Sequence, residues 1–281
     1  MTGSKAIINQ YIDHLRQAKM SHSTIKCYAS DLRGFLSRSG LPLSQNDSLS
    51  LTSIQPKDLE QYLISLSRNG SSANSVRRTS CALRNFFNFL IQQGIVEQNP
   101  ALTLAVRPPK KDVLNLQQLI TLFHYISEHQ HSTDELVRIR YRRDEILLLL
   151  MILYGVPQYQ LCTLRLSSLK KINESFSLLV STKLSFTLHA FVVMKLRLYL
   201  EARGANSDII FLEPLEEKPI QSSTFRHLFK ELRYTLHSKI GPWSLRNTYL
   251  HLRLNPEVRD QLVNYLISNS NAPTIAGRNH D

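Results

Sequence analysis

Hydrophobic positions recur along most of the chain at intervals of three and four residues, the spacing of helices with one buried face. Ile8, Tyr11, Ile12 and Leu15 predict a first helix. A second begins after Ser21 or Ser23, with Tyr28, Leu32, Phe35 and Leu36 as its stripe and Lys26 and Arg33 together on another face. The polar stretch 39–55 reads as a loop, after which Pro56 opens a third helix carrying Leu59, Tyr62, Leu63 and Leu66, closed at Gly70. A fourth starts near Ser72 and buries Val76, Leu83, Phe86, Phe87 and Leu90. Arg77, Arg84 and Asn88 share a strip of it with Arg78 alongside, and Ser75, Thr79 and Ser80 interleave with the arginines. Such a face suits a phosphate backbone with the small hydroxyls reaching toward it, and a solvated basic face fits the same pattern.

Val106-Arg-Pro-Pro-Lys-Lys-Asp then interrupts the periodicity, because consecutive prolines forbid helix. It is the expected boundary between a helical domain, 1–106, and a second domain, 114–268, with 107–113 as linker. In the second domain the pattern predicts a helix over 116–128, a His- and charge-rich loop over 129–135 and a buried helix over 144–154. A short amphipathic helix, 158–166, follows the Gly155-Val-Pro turn. Strands 176–181 and 185–189 make a hairpin through Lys183, and a helix over 190–203 and a strand over 208–212 come next. Helices over 222–237, from Pro242 onward and over 256–267 complete the domain. Residues 269–281 have no apolar period and are expected to be disordered. The fold class is mainly α with a small β component.

Charge narrows the choice of partner. The 281 residues hold 34 Lys and Arg against 22 Asp and Glu, a formal net charge of +12, so an acidic polymer is the first partner to consider. Cys27, Cys81 and Cys162 are too scattered for a disulfide framework or a zinc site, and His129 and His131 lack further ligands at metal spacing. The longest apolar run, 146–156, is roughly half the ~20 residues a membrane span needs. With no apolar signal stretch in the opening Met-Thr-Gly-Ser-Lys, the expectation is a cytoplasmic protein without metal or cofactor.

Gly241-Pro-Trp-Ser-Leu-Arg-Asn-Thr-Tyr-Leu is the stretch with the clearest candidate chemistry. Ser244 reads as an N-cap, with Leu245, Tyr249 and Leu252 on one face and Arg246 just off it, near a helix start that favours an anion. The alternative is an arginine that simply extends to solvent beside a packed helix.

The order of these pieces resembles the tyrosine recombinase/integrase family, and its Xer-like members in particular. Thr24-Ile-Lys-Cys-Tyr-Ala-Ser-Asp-Leu-Arg-Gly-Phe-Leu is similar to the family's T-x-x-x-Y-x-x-D-L-x-x-F. Leu-Arg-Asn-Phe-Phe-Asn-Phe-Leu and Gln-Asn-Pro-Ala, within 78–101, are similar to the end of its core-binding domain. The resemblance implies an N-terminal SAM-like core-binding domain and a C-terminal α+β catalytic-type domain, together clamping duplex DNA. It makes Lys26, Arg77, Arg78, Arg84, Lys183 and Arg246 the expected DNA contacts.

The resemblance also implies a chemistry, in which a tyrosine attacks a backbone phosphate held by two arginines while a hairpin lysine and histidines handle protons. Guanidinium forks neutralise the charge that develops on the phosphorane. In this chain the family's G-L-R-x-S-E-L falls on Gly155-Val-Pro-Gln-Tyr-Gln-Leu, so Pro157 and Gln160 replace the first arginine and the acid. H-x-L-R-H falls on Trp243-Ser-Leu-Arg-Asn, which keeps Arg246 and puts Trp243 and Asn247 at the histidine positions. Asn269, or Ser268 with a one-residue shift, stands at the later histidine, and about nine residues on the chain reads Ala276-Gly-Arg where the nucleophile is expected. Lys183 and Arg246 are the remnants. The expectation is a catalytically inactive homologue that binds duplex DNA, as a regulator or as a partner of an active recombinase or of itself. The alternatives are an active recombinase with substitute residues, Tyr249 or Tyr265 among them, and a protein-docking module that has left DNA behind.

Overall fold

The computed structural model describes residues 4–38, 51–105, 112–172, 175–182, 184–204 and 206–270. Residues 39–50 of the expected loop, 107–111 of the expected linker, Lys183 and 271–281 of the expected tail lie outside the described residues. The chain divides into two compact units, Met1–Lys110 and Lys111–Asp281.

Among the described residues of the first unit the long helices are α1 (Ser4–Gln17), α2 (His22–Arg38), α3 (Pro56–Arg68) and α4 (Ala73–Gln92). Their ends follow local chemistry. Ser21 Oγ accepts the Thr24 amide ahead of α2, the Asp58 carboxylate accepts the Gln55 amide at the start of α3, and Ser72 Oγ accepts the Ser75 amide at the start of α4. Gly70 and Gly94 take positive φ and end α3 and α4 with amide bonds reaching back over the last turn. The apolar stripes meet in one core, with Leu32, Leu59, Leu83, Phe86, Phe87 and Leu90 fully enclosed. Leu51 and Thr52, inside the expected loop, form a short helical turn with Leu51 buried.

The second unit contains α5 (Leu116–His129), α6 (Glu135–Leu153), α7 (Gln158–Leu161), strands β1 (Leu169–Ile172), β2 (Ser175–Ser181) and β3 (Leu184–Thr187), then α8 (Ala190–Arg203), α9 (Ser222–Leu236), α10 (Pro242–Leu254) and α11 (Pro256–Ser270). The strands form an antiparallel sheet in the order β1-β2-β3, with Leu169 opposite Leu178 and Leu178 opposite Phe186. The second half of α6 is buried on all sides and forms the centre of the unit.

Several expectations are corrected here. Helix α6 starts at Glu135, not 144, because Asp134 caps it through the Leu136 amide at 2.8 Å, and its arginine-rich first half hid the helix from a hydrophobic pattern. The helix expected over 158–166 is a single turn followed by a 3-10 turn at Leu166–Ser168. Strand β1 is additional, and the expected strand 208–212 makes only isolated bridges, Arg165 to Ile209 and Leu212 to Pro219. Helix α11 runs through Ser270, so Asn269 belongs to it and not to a tail. His129 is the last residue of α5, with its ring packed against Tyr125 and Tyr141. Ser244 is not the N-cap of α10. Gly241 holds that place, and Ser244, at the third helical position, accepts the Gly241 amide at 2.9 Å.

Candidate nucleic-acid interface

The basic strip of α4 separates into free and engaged residues. Arg77 is exposed and makes no hydrogen bond or ion pair among the described residues. Arg78 grips the Asp31 carboxylate of α2 with Nε and Nη2, at 2.8 and 2.9 Å, and that hydrogen bond raises its pKa. Arg84 donates to the carbonyls of Ala101 and Leu104, at 3.3 and 3.2 Å, and so ties the chain after α4 back onto the helix. Asn99 reinforces the tie by donating to Arg84 O and to Asn88 Oδ1. The hydroxyls expected to reach outward do not: Thr79 and Ser80 are buried, and Thr79 donates to the Ser75 carbonyl. The shared α2–α4 packing turns them inward. On α2, Lys26 and Arg33 are exposed and without an ion-pair partner among the described residues.

A second cationic row was missed in the sequence. Phe225, Leu228, Phe229 and Leu232 bury one side of α9, leaving Arg226, Lys230 and Arg233 exposed at helical spacing. None of the three makes an ion pair among the described residues. The i, i+4, i+7 spacing of these cations opposite the apolar stripe is the signal that locates them.

Around Gly155 the fold brings two of the predicted site positions together. Gly155, at φ 67°, turns the chain out of α6, and Pro157 then caps α7. A Cβ at Gly155 would stand 2.6 Å from the Tyr249 ring, so only glycine lets α10 approach so closely. Arg246 Nη1 donates to the Gly155 carbonyl at 3.0 Å, and its guanidinium lies 5.3 Å from the Tyr249 ring centre. The retained arginine therefore sits beside the turn that carries Pro157, a residue with no side-chain donor.

The other predicted positions are dispersed or engaged elsewhere. Trp243 is 71% exposed, and Asn247 donates to the Asp112 carbonyl at 3.4 Å. Gln160 has a buried Oε1 without a hydrogen-bond partner. Asn269 donates to its own helix at Tyr265 O and lies in a cleft of about 30 Å³ with Phe123, Glu145 and Lys195.

Tyr249 packs beneath Gly155, and burial raises the Tyr265 pKa. Tyr154 Oη lies 2.6 Å from His189 Nδ1 and accepts the His189 backbone amide at 2.9 Å. Burial raises the Tyr154 pKa, whereas burial and then the Arg259 charge lower that of His189.

The described residues of the first unit are mainly helical, those of the second combine helices with a three-stranded antiparallel sheet, and this fold is shared with solved integrases. Residues 8–94 match the model of the phage integrase N-terminal SAM-like domain. A tyrosine recombinase of Pseudothermotoga lettingae is 27% identical over 276 residues, covering 95% of this chain and 90% of its own. Tyrosine recombinase XerC of Leptospira interrogans is 23% identical over 277 residues, covering 94% and 85%. Among solved structures, the Tn1549 transposon integrase in complex with circular intermediate DNA aligns with a TM-score of 0.66 at 18% identity, over 95% of this chain and 92% of that one. A lambda integrase dimer bound to a COC′ core site aligns at 0.64 and 16%, over 94% of each. Over nearly its whole length the chain is thus similar to tyrosine recombinases, and its first unit to the phage integrase SAM-like domain. No described helix is long and apolar enough to cross a membrane.

Proposed function

We propose that this chain binds duplex DNA and does not cleave it by the tyrosine recombinase route. The observation that carries the reading is the pairing at Gly155: the retained Arg246 faces a turn where Pro157 offers no donor, and one of its own N–H groups is held by the Gly155 carbonyl. A phosphorane held by one guanidinium in place of two loses much of the stabilisation its charge requires. Trp243 and Asn247 cannot shuttle protons near neutral pH, and groups that act as a unit lose most of their rate when any is removed.

Binding draws on different residues. Affinity for duplex comes from many dispersed phosphate contacts, each releasing counterions. Lys26, Arg33 and Arg77 in the first unit and Arg226, Lys230 and Arg233 in the second are exposed without acidic partners among the described residues, which supports their assignment to phosphate contact. The solved integrases to which the fold is similar were captured on DNA, in agreement with this reading. A binding-only member would act as a regulator of a site or as the partner of an active recombinase.

The test combines two measurements on one preparation. Affinity for a mixed-sequence duplex should fall linearly on a log–log salt plot with a slope of several units. Incubation with nicked duplex should leave no covalent protein–DNA adduct while an active family member forms one in parallel. An adduct would establish cleavage with substitute residues. Absence of binding at low salt would point to protein docking instead.

A further inference from the structure

A cavity of about 870 Å³ in the second unit, beside α6 and α9, has most of its charges paired with one another. Glu231 holds Arg140, Glu213 holds Arg143 and Glu216 holds Lys218. A smaller cavity has the opposite character. It measures about 230 Å³, and Thr187, Tyr249, Arg253 and Arg259 line it together with Leu153, Tyr154, Phe186 and Leu252.

No carboxylate lines this cavity. The hydroxyls of Thr187 and Tyr249 and the guanidiniums of Arg253 and Arg259 make no hydrogen bond and no ion pair among the described residues. The reversal at Asn255 brings the arginines to one place, Arg253 from the last turn of α10 and Arg259 from the first turns of α11. Two guanidiniums on one cavity repel each other until an anion lies between them, when both gain charge-assisted hydrogen bonds. A phosphate group alone would leave most of the space empty. The remaining wall is aromatic and aliphatic, which suits a flat heterocycle.

We propose that this cavity binds a single nucleotide, with its phosphate on Arg253 and Arg259 and its base against Phe186 and Leu252. The nucleotide has two possible sources, a free nucleoside monophosphate or an unpaired, 5′-phosphorylated nucleotide at the end of a DNA strand. Recognition of the free nucleotide does not depend on duplex binding.

Calorimetric titration of the full chain with deoxyadenosine monophosphate, deoxyadenosine and inorganic phosphate tests the assignment. The monophosphate should bind, and the nucleoside should bind at least about tenfold more weakly for want of the charge-assisted contacts. Arg253→Gln combined with Arg259→Gln should weaken the monophosphate by a similar factor, with a nearly unchanged melting temperature because neither side chain makes a hydrogen bond or ion pair among the described residues. Phe186→Leu should weaken the monophosphate and leave inorganic phosphate unchanged. Competition by a duplex with a 5′-phosphorylated one-nucleotide overhang, but not by a blunt duplex, assigns the strand end as the source; competition by neither assigns the free nucleotide. No uptake of the monophosphate at millimolar concentration, or equal binding by the double arginine variant, overturns the site. Either result would leave the duplex-binding measurement to stand or fall by itself.

Discussion

The two units stabilise their central helices in different ways. In the first, α4 is held by an apolar core, and the ion pair on it, Arg78 with Asp31, has its arginine side chain 42% exposed. In the second, α6 carries charge into the interior: Arg143 is 3% exposed and Asp144 0%. Arg143 donates to Asp144, to the Leu212 carbonyl and to Glu213. Glu231 of α9 accepts from Arg140, Tyr125 and Tyr141 and so ties α9 to α5 and α6. An apolar core loses stability in proportion to what is removed, whereas a buried charge network fails abruptly when one partner is missing, because the remaining charge has neither water nor a counterion.

The largest test of that difference is Arg143→Met, which removes the hydrogen-bonded partner of buried Asp144 and leaves it the longer contact to Arg140 at 3.5 Å. It should cost the second unit about 3–5 kcal/mol in urea unfolding, with the first unit's transition unmoved. Adding Asp144→Asn should recover part of the loss; a double variant no better than the single one would show that packing, and not charge, is responsible. Next is Gly155→Ala, which meets the Tyr249 ring and a positive φ together. Loss of about 1–3 kcal/mol is expected from the strain, and a melting temperature equal to wild type would mean that α10 does not approach the turn so closely.

Acid should separate the units more gently. Burial pushes the Glu213 and Glu231 carboxyls upward, but Thr224 and Arg143 around the first, and Tyr141 and Arg140 around the second, hold both below the ordinary glutamate value. Folding therefore gains from both at neutral pH, and the gain disappears as pH falls through their depressed folded values. Buried Asp144 is shifted upward and opposes this trend, which limits its size. The tertiary signal of the second unit should be lost at a higher pH than that of the first; coincident acid transitions would contradict the contrast. The smallest stability effect belongs to Arg77→Ala, within ~0.5 kcal/mol because the side chain is exposed and unpaired. The same change should lower the DNA salt slope by about 1 if Arg77 meets a phosphate. Arg84→Ala reverses this pattern, because its donors already hold Ala101 and Leu104.

Legibility tracked the range of the interactions involved. Helix α8 is found where its apolar period places it, Ala190–Arg203, and Pro56, Ser72 and Gly70 act at the helix ends they predict, because periodicity and caps involve residues within a few positions of each other. The first half of α6 was obscured by its own arginines, of which Arg143 is an interior residue because Asp144 and the distant Glu213 hold its charge. Strand β1, Leu-Lys-Lys-Ile, is too short to show a period and exists because β2 pairs with it.

By itself the sequence determined most of the helices, the basic excess, the family resemblance, and the identities Pro157, Trp243, Asn247 and Asn269 at the positions where the family carries its chemistry. Only the tertiary structure decided which cations are free. Arg84 and Arg77 lie seven residues apart on one helix, yet Arg84 is claimed by carbonyls 17 and 20 residues away and Arg77 by none among the described residues. Arg246 meets the turn of Pro157 across 91 residues, and Tyr125 meets Glu231 across 106. A side chain's neighbours along the chain set its helix and its face; whether its charge remains available to a ligand depends on acceptors brought to it by folding from far along the sequence.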